Sequence, residues 1–427
     1  MEVFDIAFYT FCGPILLRAI YRSDIPLLSF TGIYLRMVLF LLYIPAYFIY
    51  RGGILYTDSS DILSFVYFAL LFQIVASAAI GRSAWNAKQK FRLIYVMRKS
   101  SHLFFWILLA SVSAYSLSYF FIYYEKIPLF QIFHGDFIQA ATTRAELTHD
   151  VGEETGIFSF YRPITKDLIF LLFSPLIIRE GGSRLVKLVL FVLLSTTLMA
   201  HAEKSYAVML VLLIFSARYL MMPENKKVEA ILGASVAVLV LAATYLLFAE
   251  DFAGAVQYIP YRLMLQTGYV PVQLAVAEPY GPLYLSGINL GFFGRLLDIQ
   301  HVDISKLAWA AVHGDFEVTG LSGSSAGLGS ADAYMILGVF GFFLYPLILY
   351  FHFFLDRLLR TAAVDKQNEH DAYSLGRVLY IYLISLYPIF LVSSFLGLFS
   401  FPYLFQPGLL LSSVVVLIFY RVKIDRF

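Results

Sequence analysis

GLSGSSAGLGSADAYMILGVFGFFLYPLILY, residues Gly320–Tyr350, contains the change of character that decides the fold. Small and polar residues run to Ser330, and from Tyr334 onward the chain is apolar. Glycine-rich loops that lead into helices often cradle phosphates. A Walker-type loop needs Gly-Lys-Ser/Thr after its glycines, but this run ends Gly327-Leu328-Gly329-Ser330 without a lysine. A dinucleotide fingerprint needs a third glycine, and Asp332 stands where it would be. Both nucleotide readings fail. A hinge before a membrane span remains, or a backbone cradle for an anion at the positive end of a helix starting near Asp332. Asp332 suits a helix N-cap or a proton acceptor.

The apolar half of this stretch is one of many. Hydrophobic residues make up 60% of the 427-residue chain, charged residues 14%, and the mean hydropathy is +0.76. Soluble domains are nearer half apolar and a quarter charged. The excess is gathered in runs of about twenty residues, the length that crosses a bilayer as a helix. The pattern predicts an all-α polytopic membrane protein forming a single integral membrane domain over 1–427. Spans are expected near 4–20, 27–49, 62–81, 102–123, 162–178, 185–200, 205–222, 228–248, 333–355, 375–397 and 404–420. The start, MEVFDIAFYT, lacks the early cations of a cleavable signal peptide, so the first span is expected to be retained. Cys12 is the single cysteine, which excludes intramolecular disulfides and cysteine-based zinc sites.

Lys and Arg orient the spans. The segment after span three carries Arg82, Lys88, Lys90, Arg92, Arg98 and Lys99 with no acid, and reads as cytoplasmic. Alternation then assigns to that side Arg18 and Arg22, Arg179 with Arg184 and Lys187, Arg218 with Lys226 and Lys227, Arg357 and Arg360, and the tail RVKIDRF. Short loops on the other side hold only Arg51 and Lys204. This implies an odd number of spans, eleven, with the N-terminus outside. Two long segments, 124–161 and 249–332, fall on the external side. The second contains YGPLYLSGINLGFFGRLL and ISKLAWAAVHG, amphipathic pieces too short to span.

External loops on a rigid scaffold are where chemistry is usually placed. Arg262, in QYIPYRLMLQTGYVP, sits in an aromatic stretch where solubility needs no cation. It is a candidate for binding an anion, against a snorkelling role at the interface. Arg144, Arg295 and Arg162 are weaker candidates of the same kind. HAEKS, His201–Ser205, forms a tight external turn in which Lys204 breaks the charge bias and Glu203 is its ion partner or a base. His313 precedes Asp315 and Glu317 at alternate positions, a spacing that suits an extended strand. It is a candidate base, against a solvated loop. Arg36, inside span two, is either functional or a cytoplasmic snorkelling residue. Serine-hydrolase, zincin and calcium-loop signatures are absent, as are basic aromatic stretches for nucleic acid.

Four pieces resemble the Wzy-type O-antigen and capsule repeat-unit polymerases of the bacterial inner membrane. EKIPLFQIF is similar to that family's Ile-Pro-Leu start of the first external loop, with Arg144 downstream. HAEKSYAVMLVLLIF resembles its Gly-Ser-Lys turn, with Lys204 in the lysine place and Ala-Glu instead of Gly-Ser. YIPYRLMLQTGYVP is similar to the Arg-bearing start of the large loop, with Arg262 in the arginine place. SADAYMILGVFGFFLYP resembles the closing motif, an acid-Ala-Tyr before a Gly-x-x-Gly span, here Asp332, Tyr334, Gly338 and Gly341. The resemblance implies a glycosyltransferase of GT-C-like architecture acting at the periplasmic face. A growing glycan would pass from undecaprenyl diphosphate to a lipid-linked repeat unit, without metal or cofactor. Arg262, Lys204, Arg144, Arg295 and Tyr334 would hold the substrate, and His313, Asp332 or Glu203 would take the proton. A chain-length-regulating co-polymerase of the Wzz type is the implied partner, besides membrane lipids. The alternatives are an O-antigen ligase or other polyprenyl-linked glycosyltransferase, and a lipid-linked glycan flippase or transporter. Such a flippase would show more spans in two similar halves and no long external loop.

Overall fold

A computed structural model describes residues 2–21, 25–26, 29–44, 60–86, 91–97, 101–136, 139–140, 142–143, 183–200, 215, 269–287, 297–300, 302–314, 327–364 and 420–426. Their elements are α1 (Glu2–Tyr21), α2 (Phe30–Met37) continued by a π-helical stretch (Val38–Tyr43), α3 (Ser60–Asn86) and β1 (Phe91–Met97). There follow α4 (Ser101–Tyr123), α5 (Pro128–Phe133), α6 (Arg184–Met199), α7 (Val270–Ala277), α8 (Ile304–His313), α9 (Gly329–Leu337), α10 (Val339–Val364) and β2 (Tyr420–Arg426). Ser64–Trp85, Trp106–Lys126 and Val339–Leu358 are long and apolar enough to cross a membrane. Spans expected at 162–178, 205–222, 228–248, 375–397 and 404–420 lie outside the described residues, apart from Phe215 and Tyr420.

α3 is the axis of the described core. Its 27 residues contain no proline and carry Asp61 in the first turn, where an acid favours the positive helix end. α1, α2, α9 and α10 pack along it. Span nine, expected as one helix over 333–355, is two helices with a break at Gly338 (φ +60°). α9 starts about 20 Å down α3, where Ser330 N donates to Gln73 Oε1 (3.0 Å) and Ser330 Oγ to the Ala69 carbonyl (2.7 Å). It climbs until Tyr334 meets the ring of Phe65 at 4.6 Å. The chain turns at Gly338, and α10 descends beside α3. Phe342 packs on Phe65, Phe68 and Phe72, Tyr345 packs on Phe72, and Arg357 Nη1 donates to the Ala84 carbonyl at 3.2 Å. Gly341 makes this hairpin possible, because a Cβ there would run into the Ala333 carbonyl. Hydropathy joins the two helices into one run because both are apolar.

Asp332 is likewise displaced from its expected place. The N-cap of α9 is Leu328, which makes no side-chain cap bond, and Asp332 lies in the first turn with its N–H on the Leu328 carbonyl. The capping acceptor is Gln73, contributed by α3. Replacing it by leucine leaves the buried Ser330 N–H without its acceptor. Gln73→Leu is expected to cost about 1–2 kcal/mol of stability, read as a lower melting temperature of the purified protein.

Basic residues collect at the end of α3 that carries Ala84. There the buried carboxylate of Asp356 in α10 accepts from Phe30 N (3.1 Å), Thr31 N (2.8 Å) and Thr31 Oγ1 (2.6 Å). Ser29 Oγ accepts from Gly32 N at 2.9 Å, so two acceptors close the start of α2. Arg36 folds back one turn and Nη1 donates to the Gly32 carbonyl at 2.7 Å, the geometry of a side chain snorkelling toward this end. Between the two ends, Tyr34 and Tyr345 share a buried hydroxyl hydrogen bond (2.8 Å), and Ser77 Oγ reaches Tyr34 at 3.4 Å.

At this end β1 and β2 pair antiparallel, from Phe91↔Arg426 to Met97↔Tyr420, and β1 packs against α10. The all-α expectation contains no strand here. The signal was present in RVKID, which alternates polar and apolar with a strand's period of two. The pairing joins the segment after α3 to the C-terminal tail, two segments that the charge pattern assigns to one side.

Candidate functional site

At the opposite end, α4 runs into a short turn and then α5. Ile127 is extended, as the residue before a proline tends to be, and Pro128 opens α5, where a missing N–H costs nothing. Leu129 N donates to the Ala200 carbonyl at the end of α6 (3.1 Å), and Tyr119, Ile127 and Ala200 are buried together. Gln131 Nε2 ties the loop down on the Glu125 carbonyl (2.8 Å), and Tyr124 Oη pairs with His134 Nε2 (2.8 Å). The Ile-Pro-Leu segment therefore docks on the residue that precedes HAEKS. Glu203 and Lys204 themselves lie outside the described residues.

Part of the second long segment folds against α3 and α9. α7 packs on α8, with Tyr269 stacked on Trp309 at 6.0 Å. α8 is the ISKLAWAAVH piece; Asp303 caps it, accepting from Lys306 N at 3.1 Å. His313 is its last residue and Gly314 (φ +87°) ends it. The strand spacing expected from His313-x-Asp315-x-Glu317 is therefore not met at His313, which is helical; Asp315 and Glu317 lie outside the described residues. One backbone bond stitches the segment to the hairpin, Leu283 N to the Met335 carbonyl (3.1 Å), and another, Val302 N to the Ser286 carbonyl (2.8 Å), ties the segment to itself.

These elements enclose a cleft of about 390 Å³. One wall is the first two turns of α3, with Asp61 and Phe65. The facing wall is α7 and the turn after it, with Ala275, Glu278 and Pro282, and Tyr334 and Gly338 of the hairpin complete it. Asp61 and Glu278 are exposed. Ahead of α9, Gly327 permits a close approach. A Cβ there would lie 2.7 Å from Gln273 Oε1 and 3.0 Å from Asp332 Oδ1, so the glycine lets these two polar side chains converge on the start of α9.

Of the candidates from sequence, Tyr334 lines the cleft, Asp332 lies beside Gln273 on the same hairpin, and His313 ends the helix packed on α7. Arg262, Arg295, Arg144, Lys204 and Glu203 lie outside the described residues. Glu278 and Asp61, which line the cleft, are not among the candidates from sequence. The signal available for Glu278 was EPYGP, an acid held in a tight turn by Pro279 and Gly281. Comparison with protein-family models, with curated proteins and with solved structures finds no match.

Proposed function

We propose that this chain is a glycosyltransferase of the bacterial inner membrane that polymerises lipid-linked oligosaccharide repeat units at the periplasmic face. In this reading the chain has eleven spans, its N-terminus is periplasmic, and the end of the bundle opposite the β1–β2 ribbon faces the periplasm. The observation that carries the reading is the cleft at that end. Its wall includes Tyr334 of the SADAY stretch, one of the pieces that resemble the polymerases. A second polymerase-like piece, Ile127–Leu129, is bonded to the residue before HAEKS.

The reaction requires an acceptor hydroxyl to attack the anomeric carbon of the growing glycan while the bond from that carbon to the diphosphate oxygen breaks. Negative charge develops on the leaving diphosphate, and cations placed there lower the barrier. Arg262 and Lys204, with Arg144 and Arg295, are assigned that role. The acceptor proton passes to a base, for which His313, Asp332 and Glu203 are the candidates. A co-polymerase of the Wzz type would set chain length.

Arg262→Ala is expected to reduce polymerisation about a hundredfold, the usual loss when one charge-stabilising group is removed. In cells lacking the native gene, the variant should yield lipid A core with a single repeat unit. Normal long-glycan ladders from it would refute the assignment. Purified protein with lipid-linked repeat units alone, and no nucleotide sugar, should form a ladder on a gel. Translocation between vesicle leaflets without a ladder would identify a flippase instead.

A further inference from the structure

We infer that the cleft between α3, α7 and the α9–α10 hairpin is a carbohydrate subsite that holds the acceptor end of the incoming repeat unit, separate from the place of the lipid diphosphate; this rests on the reading proposed above. Its volume, about 390 Å³, falls within the range of small-molecule sites. Its chemistry selects the class of ligand. Asp61 and Glu278 stand on different elements and are exposed. Ionised carboxylates only accept hydrogen bonds, so this pair asks for a ligand rich in donors, such as sugar hydroxyls. The same two charges repel a diphosphate, and among the described residues that line the cleft there is no cation to offset them. Phe65 and Tyr334, held together at 4.6 Å, supply an aromatic surface for the apolar face of a sugar ring. A neutral or amino-bearing sugar fits this set of groups, and a phosphate does not.

The placement of the cleft suits an acceptor. The hairpin that forms it also carries Asp332, a candidate base, two residues before Tyr334 and outside the cleft lining. The turn after α7 that carries Glu278 is bonded through Leu283 to Met335, so this wall is fixed relative to the hairpin.

Ala275 lines the cleft and is exposed, whereas the chain's single cysteine, Cys12, is fully buried. An Ala275→Cys variant of the full chain can therefore be labelled at the cleft with a membrane-impermeant maleimide, with the unsubstituted protein as background. The first probe is the repeat-unit oligosaccharide released by mild acid from the cells' own lipid-linked pool, free of lipid and phosphate. The second is inorganic diphosphate. The oligosaccharide at about ten times its dissociation constant should slow labelling about tenfold, and diphosphate should leave the rate unchanged. Adding Asp61→Asn or Glu278→Gln should raise the oligosaccharide's dissociation constant about tenfold each, as expected for loss of a charged acceptor, so the same concentration should slow labelling only about twofold. Both positions are exposed, so these variants are expected to fold; an unchanged melting temperature verifies it. Protection by diphosphate and not by oligosaccharide would overturn the inference, and so would no protection by either. If ladders form in the gel assay while the oligosaccharide fails to protect, the acceptor subsite is wrong and the polymerase reading stands. If the oligosaccharide protects but no ladder forms, the cleft binds sugar and the polymerase reading falls.

Discussion

Gly341→Ala is expected to lower the stability of the protein by about 3 kcal/mol, the upper range for forcing volume into a packed core. The added Cβ would collide with the Ala333 carbonyl and lie 2.9 Å from the Tyr334 nitrogen. These are backbone atoms of α9, so no side chain can swing away to make room. α9 is itself held to α3 by Ser330 on Gln73 and Ala69, and to the loop by Met335 on Leu283. The strain therefore cannot be relieved by moving the helix as a whole. Gly338→Ala makes the informative comparison. There the new Cβ meets only Pro282 Cγ at 3.7 Å, but the backbone sits at φ +60°, ψ −145°, a region that favours glycine. Its cost is conformational, about 1–3 kcal/mol, and the cleft should keep its shape. Melting temperatures of the two variants in detergent, with tryptophan fluorescence to follow unfolding, give the ordering. A Gly341→Ala protein as stable as the unsubstituted one would show that α9 and α10 do not pack as a hairpin.

The second large effect is expected at Asp356. An acid within a membrane-spanning helix is by default a functional candidate. Here its partners account for it. One carboxylate accepts from two backbone N–H groups and one hydroxyl at the start of α2, where helix donors have no partners of their own. Asp356→Ala leaves these buried donors unpaired and should cost about 3 kcal/mol or more. Thr31→Val removes the hydroxyl bond alone and should cost about 1 kcal/mol. Asp356→Asn keeps one acceptor oxygen and should fall between them. Thermal unfolding of the three variants checks the order. An Asp356→Ala protein with unchanged melting temperature, but lost activity, would move this residue from scaffold to chemistry.

Several features were legible in the residues. The helices at 2–21, 60–86, 101–123 and 184–199 follow the expected spans closely, because long apolar runs leave a chain in lipid no other way to satisfy its backbone. The helix in ISKLAWAAVH was legible from its amphipathic spacing. The Gly338–Gly341 pair stood out as a motif, but its meaning did not. Glycine in an apolar run is compatible with one long helix or with two, and only the contact partner of each glycine separates these cases. Asp332 shows the same limit. Its position before an apolar run suits a cap, yet the acceptor that closes α9 is Gln73, which lies far away in sequence.

The cleft was the least legible feature, since it is made from residues at 61–65, 274–282 and 334–338. No local pattern relates an acid at a span end to another in a proline-glycine turn more than two hundred positions later. By itself the sequence determined which segments are helical and apolar, because hydropathy and span length are properties of contiguous residues. Its charge pattern also grouped the segment after α3 with the tail, and β1 pairs with β2 there. The tertiary structure alone decided where α9 stops and reverses, which acceptor closes each buried helix start, and which carboxylates face one another across a cleft. Those outcomes depend on close approach and hydrogen bonding between distant segments, and such pair interactions leave no periodic trace in the chain.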